Sequence, residues 1–77
     1  MKYTRNKKGI KQIGKLIKKH RLKQNISQAQ LAFEADLPIN QIGRIERGDI
    51  NTSISHIFAI AKALNVHVKE LFEFEMP

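Results

Sequence analysis

The chain has no cysteine, so neither a disulfide nor a thiolate metal site can staple it, and helix packing alone must supply its stability. It has no tryptophan and one tyrosine, which leaves Tyr3 and Phe33 as the only candidates for the exposed aromatics on which readers of single-stranded nucleic acid stack bases. Long apolar runs are missing, so no spanning helix is expected, and the charged start Met1 to Lys8 has no apolar stretch behind it to serve as a secretory signal. These absences predict a cytoplasmic protein that does not engage a membrane. No glycine-rich phosphate loop follows a strand pattern, and His20, His56 and His67 fall on different elements at no metal-ligand spacing. Catalysis, a metal, a cofactor and a small-molecule ligand are accordingly not expected.

Acidic residues are scarce in a patterned way. Ten of the 14 lysines and arginines precede Ser27, from Lys2 to Lys23, with no Asp or Glu among them, whereas the rest of the chain sets four basic residues against seven acidic ones. The net charge of +7 therefore belongs to one end, and one surface must be electropositive. Such a surface suits nucleic acid, anionic lipid or an acidic protein. The 77 residues suffice for one small domain, which buries only about 60% of the surface its unfolded chain exposes and has little volume to spare for a cleft.

What is present is helical periodicity. Over residues 10–24, Ile10, Ile13, Leu16 and Ile17 recur at helical spacing with lysines between them, and Asn25 suits a left-handed end. Ser27 with Gln30 three positions on, flanked by Ile26 and Leu31, forms a capping-box and staple pattern that starts a helix over 28–35. Pro38 forces a break, Asp36 tolerates the sharp turn, and Pro38 suits the first position of a third helix over 39–47 that ends at Gly48. Ile42 and Ile45 face inward on that helix, while Asn40, Gln41, Gly43, Arg44 and Arg47 lie outward. Ser53 caps a fourth helix whose Ile54, Ile57, Phe58, Ala61 and Leu64 share a stripe, with Ile60 at its margin. A short helix over 68–74 follows, with Leu71 and Phe72 packing inward. The expected organisation is a flexible basic arm over 1–9, a domain over 10–74 and a tail over 75–77.

Two short helices joined across Ala35 to Pro38 describe a helix-turn-helix. Ile13-Gly14, Arg21, Ser27-Gln28, Leu31-Ala32, Ile42, Ile45-Glu46-Arg47-Gly48, Ser53 and Ile60 to Leu64 together resemble the Cro/phage-repressor-type helix-turn-helix family. The resemblance is to its compact single-domain members, such as restriction-modification controllers. It implies an all-α, five-helix bundle of the lambda-repressor-like type that binds double-stranded DNA as a homodimeric transcriptional regulator. It further implies that Ile39, Asn40, Gln41 and Arg44 face bases, that Gln28, Arg47, Asn51 and Thr52 hold phosphates, and that Arg21 and Glu46 form a structural ion pair. Gly43 is expected to let the reading helix sit close to DNA. Leu64, Val66, Phe72 and Phe74 are candidates for the seam between copies. The rival on the same fold is an antitoxin or partner-binding module for which DNA is secondary.

Overall fold

The computed structural model describes residues 4–75. Residues 1–3 of the expected arm and 76–77 of the expected tail lie outside this range. Helix α1 spans Lys7–Lys23, starting three residues before the expected position because Asn6 caps it: the Gly9 N–H donates to Asn6 Oδ1 at 2.8 Å. Lys7, Lys8 and Gly9 are thus helical and not part of an arm. The apolar period begins at Ile10 and could not report a polar first turn.

Asn25 takes φ 60° after α1, as its position predicts, and Ser27 then caps α2 (Gln28–Ala35) by accepting the Gln30 N–H at 3.0 Å. Only half of the expected capping box forms, because the Gln30 side chain donates to Glu34 one turn on and does not return to Ser27. Asp36 closes α2 in the left-handed region at φ 59°. Pro38 is the N-cap of α3 (Ile39–Arg47), one position before the first helical residue, and Gly48 ends that helix at φ 75°. Ser53 caps α4 (Ile54–Ala63) through the His56 N–H at 3.1 Å.

The last element is a 3-10 helix, Val68–Phe72, and not a fifth α-helix. His67 and Glu70 cap it reciprocally, with the Lys69 N–H on His67 Nδ1 at 3.2 Å and the His67 N–H on Glu70 Oε2 at 3.1 Å. Both bonds lie at the N-terminal end of this five-residue element, a length at which 3-10 geometry is common. The architecture is all-α, four α-helices and a terminal 3-10 helix.

Each of the five elements sends one wholly buried side chain to a common centre, Ile17, Leu31, Ile42, Ile60 and Leu71, and Leu64, just after α4, adds a sixth. Each such burial contributes about 1.5 to 3 kcal/mol. On α4 the buried face is Ile57, Ile60 and Ala61, continued by Leu64, while Ile54 and Phe58 are 65% and 56% exposed. The expected stripe was therefore rotated: α4 is apolar over more than one face, and packing against α2 and the 3-10 helix selects which face is covered. Leu64 is core and cannot form a seam, Val66 and Phe74 are half-buried, and Phe72 stays 44% exposed instead of packing inward. At the α1–α3 crossing a Cβ on Gly14 would stand 2.3 Å from the Ile45 carbonyl oxygen, so the two backbones touch there.

Candidate nucleic-acid interface

The turn Asp36-Leu37-Pro38 sets α3 across α2, and α3 then divides cleanly by exposure. Ile42, Gly43, Ile45 and Glu46 are buried, whereas Ile39, Asn40, Arg44 and Arg47 are exposed and Gln41 is half-buried. Asn40, Arg44 and Arg47 are spaced at i, i+4 and i+7, so one ridge of the helix carries an amide and two guanidinium groups. Ile39, 53% exposed, stands at the head of that ridge. Gly43 does not lie on this outer side. Arg47 Nη1 and Gln28 Oε1 stand 3.1 and 3.6 Å from the point where its Cβ would be, so the glycine makes room for those two side chains.

The ridge is held by a buried ion pair. Arg21 donates through Nε to Glu46 Oε2 at 2.7 Å, through Nη2 to Glu46 Oε1 at 3.1 Å, and through Nη1 to the Ile26 carbonyl at 2.9 Å. The two residues are 7% and 6% exposed. A fork of this kind fixes both distance and angle between α1 and the last turn of α3. Gln28, at the start of α2, donates from Nε2 to Glu46 Oε1 at 3.0 Å. Its other amide hydrogen remains available to a further acceptor.

Beyond α3, Asn51 is exposed, and Thr52 is half-buried with Oγ1 2.9 Å from His56 Nδ1. Arg47 Nε meets Asp49 Oδ2 at 2.9 Å in an exposed pair worth at most about 1 kcal/mol. Two basic residues that the sequence pattern does not connect with this loop are brought to it. Arg5 Nη2 lies 3.4 Å from the Asp49 carbonyl oxygen and Lys11 Nζ lies 3.5 Å from that of Arg47. They are 44 and 36 residues away in the chain, and no local signal could have paired them. Among the described residues no group of three or more His, Asp or Glu side chains is placed to hold a metal, and no helix is long and apolar enough to cross a membrane.

A short α2, a turn capped in the left-handed region, and an α3 with one buried and one polar cationic face constitute a helix-turn-helix. A family model described as helix-turn-helix matches residues 17–71, and the chain belongs to that family. Over 62 residues it is 47% identical to the control protein C.BamHI of Bacillus amyloliquefaciens, covering 79% of this chain and 76% of that one. The crystal structure of the restriction-modification controller protein C.AhdI from Aeromonas hydrophila superposes with a TM-score of 0.80 at 33% identity, covering 82% of this chain and 96% of that one. C.Esp1396I bound to a 25 base pair operator site matches with a TM-score of 0.77 at 32% identity, over 84% and 86% of the two chains. The tetramer of the same controller with its natural 35 base pair operator matches with a TM-score of 0.74 at 29% identity, over 84% and 96%.

Proposed function

We propose that this chain is a transcriptional controller of the restriction-modification type, binding double-stranded operator DNA sequence-specifically as a homodimer in the cytoplasm, with a binding role and no catalytic one. The observation that carries this reading is the exposed ridge of α3, set rigidly on α1 by the Arg21–Glu46 fork in a chain similar to controllers solved on their operators. Asn40 pairs with adenine through two hydrogen bonds, Arg44 does so with guanine, and Ile39 packs on a thymine methyl, all from the major groove. Gln41, half-buried, reaches a base edge or the phosphate beside it. Gln28, Arg47, Asn51 and Thr52 hold phosphates on either side of the groove, and Arg5, already against the Asp49 carbonyl, adds a sequence-independent contact.

One recognition helix reads only a few base pairs, so two copies on half-sites about one helical turn apart supply the affinity. Ile54, Phe58 and Phe72 are the exposed apolar side chains at the α4 and 3-10 end, and they make the seam. The test is a titration of Arg44→Ala and Asn40→Ala against the preferred site and each of its single-base variants at two salt concentrations. Arg44→Ala is expected to cost about 1 to 3 kcal/mol and to relax preference at one position per half-site. An unchanged ranking of sites in both variants overturns the assignment of α3 as reader.

A further inference from the structure

The outer face of α1 is not accounted for by the operator surface. All seven lysines of α1 are exposed, and at 100° per residue they fall within an arc of about 160°, opposite the buried Gly9, Gly14, Ile17 and Arg21. Lys7, Lys11, Lys15, Lys19 and Lys23 form an unbroken i, i+4 run. Each neighbouring pair in that run repels, which works against the helix, and Lys7 and Lys8 stand at the positive end of its dipole. A face kept only for solubility gains by interleaving glutamates, and here none occurs. Among the described residues the ion pairs are Arg21–Glu46 and Arg47–Asp49, and neither engages a lysine.

Gly14 touches α3, so position around α1 can be measured from it. Lys8, Lys15, Lys19 and Lys23 lie about 100° to 180° round the helix from Gly14 and project to the side away from α3. They therefore face away from the exposed ridge of α3 on which the operator reading rests. Protein interfaces are depleted in lysine and centred on aromatic or apolar anchors, and the only exposed apolar side chain in this arc is Leu22. Single-stranded nucleic acid requires stacking aromatics, which α1 lacks. A membrane surface requires the apolar face of α1, and Ile17 is wholly buried with Ile10, Ile13 and Leu16 half-buried around it. A row of point charges about 6 Å apart along some 25 Å of helix, without apolar or aromatic groups, fits the phosphate backbone of a duplex.

We infer that the outer face of α1 is a second, sequence-independent site for duplex phosphate, separate from the operator surface. The inference rests on the reading of α3 as the operator reader. The phosphates belong either to flanks of the same duplex bent toward α1 or to a second duplex, and two arms distinguish these. In the first arm, the full chain is titrated against its operator duplex with and without about one further helical turn of arbitrary sequence on each side, across a salt series. In the second, immobilised operator loaded with protein is offered a labelled unrelated duplex.

The wild type is expected to gain about tenfold in affinity from the flanks, with a salt slope steeper by about 0.9 per phosphate engaged, or to retain the unrelated duplex. The variant Lys8→Gln/Lys15→Gln/Lys19→Gln/Lys23→Gln, shown by its melting curve to be folded, is expected to lose that gain while ranking operator variants as the wild type does. The same four positions changed to Arg are expected to keep it. Arg44→Ala is expected to relax the ranking of sites at one position per half-site and to keep the gain, which separates this inference from the assignment of α3. A wild type with neither flank gain nor capture, or a Gln variant that retains them, overturns the inference. A wild type that binds no duplex at all overturns both readings.

Discussion

Glu46 accepts three hydrogen bonds, two from Arg21 and one from Gln28, inside a domain of 77 residues. Taking two charges out of water is costly, and the mutual attraction offsets this only while both are present. Glu46→Leu is therefore expected to cost about 3 to 5 kcal/mol, a large share of the 5 to 15 kcal/mol typical of such a domain. Arg21→Met/Glu46→Leu is expected to recover part of that loss, because no unpaired charge is left behind. Urea unfolding of the two variants checks both statements, and a single-variant cost below about 1 kcal/mol contradicts the burial described. The residues of this pair were legible in the sequence through the family resemblance, and Ser27, Asp36, Gly48 and Ser53 through their turn and cap chemistry. The tie from Gln28 to Glu46 was not, nor was the covering of Gly43 by Arg47 and Gln28, because side-chain contacts between elements leave no periodic trace.

At the scale of elements the decisive contact is the crossing of α1 over α3. A methyl group at Gly14 would lie 2.3 Å from the Ile45 oxygen and 2.7 Å from that of Glu46, both backbone atoms that no rotamer change can move. Gly14→Ala is expected to destabilise the fold by about 1 to 3 kcal/mol and to tilt α3, weakening operator binding beyond what stability alone predicts. The check is a thermal melt paired with a binding titration under conditions where the variant stays folded. A variant as stable as the wild type would mean that the helices have room to part. The boundaries of α2, α3 and α4 could be read from Ser27, Asp36, Pro38, Gly48 and Ser53 because caps and turns act through the two or three residues beside them. The apolar period does not report the start of α1 because Asn6 precedes a polar turn, although an Asn three residues before a helical N–H is itself a cap signal. The 3-10 geometry of the last element is a choice between bonding three and four residues along the chain, which helical propensity does not encode.

At the scale of the whole molecule, basic residues and exposed apolar side chains are unevenly distributed. Lysines line α1, the cationic ridge lies on α3, and Ile54, Phe58 and Phe72 cluster at the end formed by α4 and the 3-10 helix. If that cluster joins two copies, Phe58→Glu is expected to yield a folded monomer by sedimentation at tens of micromolar, with operator affinity reduced by orders of magnitude because the two half-sites are no longer bound as one unit. An unshifted dimer mass in that variant would place the seam elsewhere. The sequence by itself determined the all-α class, the caps at Ser27, Gly48 and Ser53, the turn and the polarity of α3, since these depend on interactions within a few residues. Only the tertiary structure decided which of the two apolar faces of α4 is core, that Leu64 is buried and Phe58 is not, and that Arg5 and Lys11 stand beside the loop after α3. A helix that is apolar on several sides offers more than one inward face, and the choice among them is made by neighbours that are distant along the chain.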